Sequence, residues 1–310
     1  IAARICRDSQ ELGGHLRRED FEDYKVIHRK ALQLTYGDFQ FLTNPPPSAG
    51  GILIGFCLEL LKAYDLQKMK WGSAEYLQLL SSVMDMMNVS RSKTLNNYLQ
   101  HPNIAQHFLQ KDHVDAYLHS IDKRANKLGS TTHISVVDKY GNAASTTVSS
   151  GAGNSYYVPQ TGIMMNNMLG EADLNPKGFH QWKRDERMSS MMAPSMLLKD
   201  RRPRLVLGSS GSSRIRTAIL QNVVNWTDFQ MPLEQAMESP RLHLEGKELN
   251  IEQGFDEEIV SKLRLPSGWQ RVLWSEKSMF FGGVNAIAAD EKGNLRGSAD
   301  DRRFGFVVGK

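Results

Sequence analysis

The sequence predicts a layered α+β fold, in which a helical first part is followed by a part rich in strands. Three observations support this fold class. Apolar residues recur at spacings of three and four up to residue 99, and from Thr131 onward the spacing changes to two. The chain has 310 residues, of which 40% are hydrophobic and 8% aromatic, so it can bury a substantial core. Wholesale disorder is therefore excluded.

The elements of the first part follow from the apolar spacing. Helices are predicted over residues 1–13, 52–66, 74–90 and 92–99. Three consecutive prolines at 45–47 fix an extended, rigid loop, and Gly50 with Gly51 lets the chain turn into the helix that begins at Ile52. The stretch 101–130 is polar and predicts an exposed linker.

The second part alternates as strands do. Residues 132–138 form one strand, a turn follows at 139–142, and 143–149 returns as its partner. Further strands are predicted at 162–166, 195–199, 205–207, 241–244, 249–252, 270–273 and 284–289. A hairpin turn is predicted at 201–204, and helices are predicted at 215–228 and 232–237.

Charge and composition exclude several classes of partner. The 38 basic and 34 acidic residues are interspersed, so the net charge of +4 forms no nucleic-acid surface. The longest apolar run, 52–61, is shorter than the ~18–20 residues that a membrane helix needs. The nine histidines show no metal-binding spacing, and no motif requires a cofactor. Cys6 and Cys57 are expected to be buried free thiols.

The compartment is left open by the sequence. No signal peptide is recognisable in the chain as it stands, and it does not begin with Met. Both a cytoplasmic and a periplasmic or extracellular location therefore remain open.

The boundary between the two parts carries the chemistry. It delivers Thr131 to the first position of a strand that enters the core. If the Ser130–Thr131 bond is cut, Thr131 gains an α-amine, whose ordinary pKa of about 7.7–8.0 suits a general base near neutral pH. Nucleophile and base then lie in one residue, and the same hydroxyl can cut the chain beforehand by attacking the Ser130 carbonyl. By itself this signal is weak, because β-propensity alone places threonines at strand starts.

Several other motifs follow one another along the chain, at 45–51, 131–142, 162–167, 189–191, 208–215, 239–243 and 297–302. In this order and spacing the chain resembles the γ-glutamyltransferase (γ-glutamyltranspeptidase) family of autoprocessed N-terminal-nucleophile hydrolases. The resemblance implies a four-layer αββα sandwich, formed as one domain by two pieces cut before the catalytic threonine. Residues 1–130 would then be the C-terminal part of the large subunit, and 131–310 the small subunit. Most of the large subunit's N-terminal region, with an arginine that holds the substrate's α-carboxylate, is expected to be missing here.

The resemblance also implies catalytic roles. Thr131 matches the nucleophile, and Ser149 stands where the family has a threonine whose hydroxyl supports it. Gly211 and Ser212 match a Gly-Gly pair whose backbone N–H groups form the oxyanion hole. Ser212 replaces the second glycine, which keeps the donor and adds a side chain near the site.

The residues matched to substrate binding depart from the family. Ser189 and Ser190 match the pair that binds the α-carboxylate. The family holds the α-amine of glutamate with Asn, Gln and Asp, and those positions here are Gly151, Met168 and Glu171. Two of three ammonium acceptors are therefore missing, and each charge-assisted hydrogen bond is worth ~1.5–3 kcal/mol.

The sequence therefore predicts an autoprocessing amidohydrolase that cleaves γ-glutamyl amides such as glutathione. Between Glu171 and Ser189 the chain is about eleven residues shorter than many family members, which carry a lid there, so hydrolysis is expected to exceed transfer. Two alternatives stay open, an acylase acting on a glutaryl or β-lactam side chain and a non-catalytic, unprocessed scaffold. The expected partners are the small-molecule substrate and the other piece of the cut chain, and a homodimer is left open.

Overall fold

The computed structural model describes residues 1–117, 130–175 and 177–309, and its central element is a six-stranded sheet. The strands are β1 (Leu32–Tyr36), β2 (Phe39–Thr43), β3 (Ser130–Val137), β4 (Ala143–Gly151), β5 (Ser195–Lys199), β6 (Arg202–Ser210), β7 (Leu242–Glu245), β8 (Glu248–Ile251), β9 (Gln270–Leu273), β10 (Gly283–Ala289) and β11 (Leu295–Ala299). The six-stranded sheet has the order β1-β2-β5-β6-β10-β11, with every neighbouring pair antiparallel. The strands β7, β8 and β9 form a separate three-stranded sheet.

The helices flank these sheets. They are α1 (Ala2–Glu11), α2 (Arg18–Glu22), α3 (Ala49–Leu61), α4 (Ala74–Ser90), α5 (Asn96–Tyr98), α6 (Ile104–Phe108), α7 (Lys111–Tyr117), α8 (Arg214–Thr227), α9 (Leu233–Glu238) and α10 (Glu257–Ser261). A π-helical turn, Arg91–Leu95, links α4 to α5. Helix α3 is buried along its whole length except at Glu59, as its nearly continuous apolar sequence requires.

The helical layer and a two-stranded ribbon lie on opposite faces of β6. Leu205 and Leu207 belong to the same apolar core as α3 and α8. Side chains alternate along a strand, so Val206 and Gly208 point to the other face. There β3 and β4 form the ribbon, and the ring of His133 lies so close to Gly208 that a Cβ at that glycine would collide with it.

The described residues thus provide a helical layer, a sheet and a ribbon, in that order. The outer face of the ribbon is apolar and about half exposed, at Ile134 (55%), Val136 (51%) and Val148 (56%). A four-layer sandwich needs a second helical layer beyond this face, which the described residues do not contain. The α+β class is confirmed, and the four-layer arrangement stays a prediction.

Two expectations for the first part need correction. The stretch 101–117 is not an exposed linker, because α6 and α7 bury Ile104, Phe108, Val114 and Tyr117 in the core. These residues stand four and three apart, which is helical spacing that the surrounding polar residues obscured. Residues 118–129 of the expected linker lie outside the described residues. The hairpin of β1 and β2 was also missed, although it pairs with β5.

In the second part most strands are confirmed, and two are not as expected. Residues 162–166 form no strand and contribute only an isolated bridge between Met164 and Tyr157. Strand β11 was missed because it is an edge strand whose residues are largely exposed, so it lacks apolar alternation. A hairpin turn does join β5 to β6, but it lies at Asp200 and Arg201, both at positive φ (52° and 62°), as tight hairpin turns require. The prediction of the turn at 201–204 is therefore wrong in its bounds, because residues 202–204 already belong to β6. Cys6 and Cys57 are free and buried, as expected.

Buried ion pairs explain the motifs at 239–243 and 297–302. Arg241 pairs with Asp300 at 2.6 Å, and Arg302 pairs with Glu252 at 2.5 Å. All four side chains are almost fully buried. Removing one partner of such a pair costs about 3–5 kcal/mol, because the other charge is left buried without compensation. These motifs therefore fix β7 and β8 against the segment that follows β11.

No helix in the described ranges is both long enough and apolar enough to cross a bilayer.

Candidate active site

The ribbon places Thr131 beside a second hydroxyl. Thr131 and Ser149 are direct cross-strand partners, and the Thr131 hydroxyl donates to Ser149 Oγ at 3.2 Å. The backbone N–H of Gly151 donates to the same Oγ at 3.1 Å and helps to fix it. The register of the ribbon shifts between Ser130 and Thr131, so an irregularity lies at the bond that is expected to be cut. Bulges of this kind are frequent next to active sites, where they redirect a side chain.

Buried polar groups hold the ribbon on β6 and so determine where Thr131 lies. His133 is 3% exposed, and its ring nitrogens contact Thr147 Oγ1 at 2.8 Å and Ser135 Oγ at 2.9 Å. Ser135 donates onward to the carbonyl of Val206 at 3.1 Å. Burial lowers the pKa of His133 to about 4, so the ring is neutral at physiological pH. Sequence reasoning missed this role, which depends on contacts between two layers.

This lowered pKa predicts a pH-dependent stability. Between pH 6.5 and 4 the unfolded chain binds a proton on His133 that the folded protein does not, so the free energy of unfolding falls as the pH falls. Between pH 7 and pH 5 the loss due to His133 is about 2 kcal/mol. Urea unfolding at both pH values measures it, and His133→Gln should remove that part of the pH dependence. The exposed His28→Gln is the control, and equal pH dependence in the two variants would contradict the prediction.

Thr131 lines a cavity together with most of the residues predicted for the site. Its wall includes Thr131, Ser149, Gly151, Glu171, Ser190 and Ser212. The remaining wall is apolar apart from Asp173, and consists of Met168, Leu174, Met191, Met192 and Ile215. A nucleophile candidate, hydroxyl groups and two carboxylates therefore converge on one space.

Two predicted residues lie outside this wall. Gly211 has φ 122° and packs against Gly282, where a Cβ would approach the Gly282 Cα within 2.9 Å. It directly precedes Ser212, and Arg214 begins helix α8 two residues later, so the positive end of the helix dipole faces this loop. Ser189 is buried and lines a neighbouring cavity of about 310 Å³, which it shares with Asn175 and Trp182.

Ser190 is held in place by the loop that precedes α3. Its carbonyl accepts from the Ala49 N–H at 2.8 Å and from the Ser48 hydroxyl at 3.1 Å. A Cβ on Gly50 would overlap the carbonyl oxygen of Met191. Gly50 and Gly51 are therefore needed for close approach, and the expectation that they let the chain turn into the helix is wrong, because both lie within α3 itself.

The departures at positions 151 and 171 complement each other. Gly151 has φ 61°, and a Cβ there would lie 3.0 Å from Glu171 Oε1 and 3.1 Å from the backbone of Asn167. The longer Glu171 side chain thus occupies space that a side chain at 151 would need. A side chain at position 151 would require the Glu171 carboxylate and the Asn167 backbone to shift by a few tenths of an ångström.

Sequence reasoning also missed Asp173. It stands in a short 3-10 turn (Ala172–Leu174), and its Oδ2 accepts from the Ser212 hydroxyl at 2.9 Å. Arg91, in the π-helical turn, donates to the Asp173 carbonyl. The local sequence does not distinguish Asp173 from an aspartate that contacts only solvent. The contact with Ser212 is therefore visible only in the folded structure.

Within the described ranges, no three or more His, Cys, Asp or Glu residues cluster in a way that could hold a metal ion.

Fold and cavity together define a class. A strand that starts at a threonine in the wall of a cavity, with a second hydroxyl beside it, fits the class of N-terminal-nucleophile hydrolases. A family model described as Gamma-glutamyltranspeptidase matches residues 1–309. The chain belongs to this family.

Individual relatives agree with this assignment. The Glutathione hydrolase proenzyme of Escherichia coli (strain K12) is 30% identical over 334 aligned residues, which cover 97% of this chain and 56% of that protein. The Acylase ACY 1 proenzyme of Pseudomonas sp. (strain SE83) is 29% identical over 309 residues, covering 96% of this chain and 54% of that protein. The word proenzyme implies that both relatives are processed.

A solved structure supports the fold alone. The crystal structure of cephalosporin acylase from Bacillus halodurans matches with a TM-score of 0.83 at 20% identity, covering 99% of this chain and 58% of that one. The chain therefore spans little more than half the length of the relatives it matches.

Proposed function

We propose that this chain carries the catalytic part of an autoprocessing amidohydrolase that cleaves γ-glutamyl amides, with Thr131 as the nucleophile. The observation that carries the proposal is the Thr131–Ser149 hydroxyl pair at 3.2 Å, at the start of strand β3 and in the wall of the cavity. Membership of the Gamma-glutamyltranspeptidase family supports the substrate class.

The processing step uses the same hydroxyl. Thr131 Oγ attacks the carbonyl carbon of Ser130, the C–N bond of the Ser130–Thr131 peptide breaks, and an ester links Ser130 to Thr131. Water hydrolyses this ester, which releases the Ser130 carboxylate and leaves Thr131 with a free α-amine and hydroxyl. Ser149, which accepts a hydrogen bond from Thr131, orients the attacking oxygen.

The catalytic cycle then repeats this chemistry on a substrate. The Thr131 hydroxyl attacks the γ-carbonyl, and its proton passes to the α-amine. Backbone N–H groups of Gly211 and Ser212 stabilise the oxyanion, aided by the N-terminus of α8. The amine leaves with the proton, an acyl-Thr131 ester remains, and water releases the free acid. We further propose that water outcompetes amine acceptors, because the short segment between Glu171 and Ser189 leaves the ester accessible.

We propose that residues 1–130 and 131–310 become two pieces of one domain. Strand β2 of the first piece pairs with β5 of the second, Gln40 to Thr43 opposite Ser195 to Leu198. The isolated bridge between Ser48 and Ser190 joins the pieces at the cavity itself. A cut at Ser130–Thr131 therefore divides a shared sheet and core, and the pieces are expected to stay associated.

The first test is intact mass and N-terminal sequencing of the purified protein, kept at neutral pH and 37 °C. The expected result is two fragments of 130 and 180 residues, the second beginning at Thr131. The same sample should release p-nitroaniline from γ-glutamyl-p-nitroanilide. A single uncut chain without hydrolysis would overturn the proposal and favour the scaffold alternative.

The acylase alternative rests on a specific observation. Met168 and Gly151 stand where the resemblance expects two acceptors for the substrate's amine, and an Acylase ACY 1 proenzyme is among the relatives. An acylase of this kind should hydrolyse glutaryl-p-nitroanilide at least as fast as γ-glutamyl-p-nitroanilide. A preference of tenfold or more for the γ-glutamyl compound would exclude it.

A further inference from the structure

A buried arginine behind the cavity contacts the loop that carries the Gly211 and Ser212 N–H groups. Arg216 lies in the first turn of α8, is fully buried and does not line the cavity. Its Nε donates to the carbonyl of Ser213 at 3.1 Å. Ser213 directly follows Ser212, so this hydrogen bond ties the guanidinium to the backbone of the loop.

The loop needs support from outside because its backbone is strained. Ser212 has φ 54°, in the left-handed region where a side chain is disfavoured. Such a conformation persists only where the surrounding structure fixes it. The Ser212 hydroxyl makes one contact on the cavity side, to Asp173 at 2.9 Å, and Arg216 makes its contact on the core side. The loop is therefore held from both sides.

The far end of the Arg216 guanidinium is anchored on two elements outside α8. Its Nη2 donates to Asn88 Oδ1 at 2.8 Å and lies 3.6 Å from Glu245 Oε2. Asn88 belongs to α4, and its Nδ2 donates to the carbonyl of Leu244 in β7 at 2.9 Å. A planar guanidinium has N–H groups on both sides, so Arg216 can hold these partners and reach the loop at the same time.

Glu245 is fixed in turn by His243, on the same face of β7. Burial lowers the pKa of His243 to about 4, so the ring is neutral at physiological pH. Burial alone would raise the pKa of Glu245, but the hydrogen bond from His243 and the charge of Arg216 outweigh it and hold this pKa at about 2. The charged carboxylate therefore accepts from His243 Nε2–H at 3.0 Å, and Nδ1 accepts from the Thr217 hydroxyl at 2.8 Å. This chain of contacts begins and ends on α8.

We propose that Arg216 is a positioning residue for the oxyanion hole, and that Glu245, fixed by His243, holds Arg216 in the orientation that this role requires. The inference rests on the proposed function, because it takes the oxyanion hole to lie in the loop before α8. Arg216 acts through the Ser213 carbonyl and touches no reacting atom. It therefore affects the transition state more than the binding of substrate, since the oxyanion forms only during the reaction.

The test compares the same substitution at two buried arginines. Arg216→Lys keeps the positive charge beside Glu245 but removes the Nε donor, and a single ammonium cannot also reach the Ser213 carbonyl. The matched control is Arg302→Lys, at a second buried arginine that pairs with a glutamate, Glu252. Arg302 hydrogen-bonds to residues at 237–239, 252 and 300, which lie outside the loop.

The two variants should differ in kcat and resemble each other in stability. With γ-glutamyl-p-nitroanilide, Arg216→Lys should lower kcat by about 10- to 100-fold and change KM by less than about threefold. Arg302→Lys should keep kcat within about twofold, and both variants should unfold at lower urea concentrations. The double variant Arg216→Met/Glu245→Gln provides a second route, because it removes both charges of the pair together, and it should show the same fall in kcat.

Hydrogen–deuterium exchange separates this inference from the proposed chemistry, because it needs no turnover. In Arg216→Lys the backbone amides of the loop at 211–213 should exchange about tenfold faster or more, and in Arg302→Lys they should exchange at the unsubstituted rate. Unchanged exchange of the loop in Arg216→Lys, or equal losses of kcat in the two lysine variants, would overturn the inference. If the unsubstituted protein hydrolyses no γ-glutamyl amide, the proposed function fails, and the exchange rates still decide whether Arg216 holds the loop.

Discussion

Thr131→Ala is expected to abolish both cleavage of the chain and amide hydrolysis, because it removes the hydroxyl that attacks the Ser130–Thr131 bond in the proposed mechanism. The remaining cavity can still bind substrate, but it can form neither ester. We expect one uncut chain by mass spectrometry and a fall in hydrolysis of about 10³-fold or more. Circular dichroism and urea unfolding should match the unsubstituted protein, since Thr131 is only half-buried.

The neighbouring threonine provides a matched control. Thr132 is exposed and points away from β6, because side chains alternate along β3. Thr132→Ala should be cut and should hydrolyse the substrate at nearly the unsubstituted rate. Thr131→Ser gives a second check, because it keeps a hydroxyl and should retain measurable cleavage. Processing of Thr131→Ala at the normal site would disprove the role of this residue.

Gly50→Ala is expected to damage the site, although Gly50 lies 141 residues before Met191 in the sequence. The new methyl group would overlap the Met191 carbonyl oxygen, so the segment that carries Ser190 must move out of the cavity wall. Alanine gains up to ~1 kcal/mol in helix propensity over glycine, but forcing apart packed backbone costs about 1–3 kcal/mol. We expect lower stability in urea and a loss of activity approaching 100-fold, as displacements near 1 Å produce.

Gly55→Ala in the same helix is the control for Gly50→Ala. Its new methyl group would collide with Leu34 Cδ2, at 2.7 Å, which is the end of a flexible side chain that can rotate away, and would make ordinary contacts with Leu109. Activity should therefore remain close to that of the unsubstituted protein. If the two variants lost activity to the same extent, the close approach of α3 to the 190–191 segment would not be what positions Ser190.

The sequence determined the strands that surround Thr131 and the position of Thr131 at the start of one of them. Alternation over 132–138 and 143–149, with a turn between, predicts the β3–β4 ribbon because its local pattern is strong. The same pattern places Thr131 and Ser149 on facing strands, although it does not fix their register. Segments with weak patterns were not predicted. Examples are β11, at an exposed sheet edge, and α6, whose two buried residues stand among polar ones.

Only the tertiary structure decided which distant residues share the cavity with Thr131. Ser190 lines it and Ser189 lines the neighbouring one, although adjacent serines are indistinguishable in the sequence. Asp173 contacts Ser212, which lies 39 positions later in the chain. His133 contacts Thr147, which lies 14 positions later. Local patterns report which face of a strand or helix is apolar, because burial of that face drives folding. Local patterns do not specify which layer packs against that face. The packing of the ribbon, β6 and α3 brings these groups within hydrogen-bonding distance.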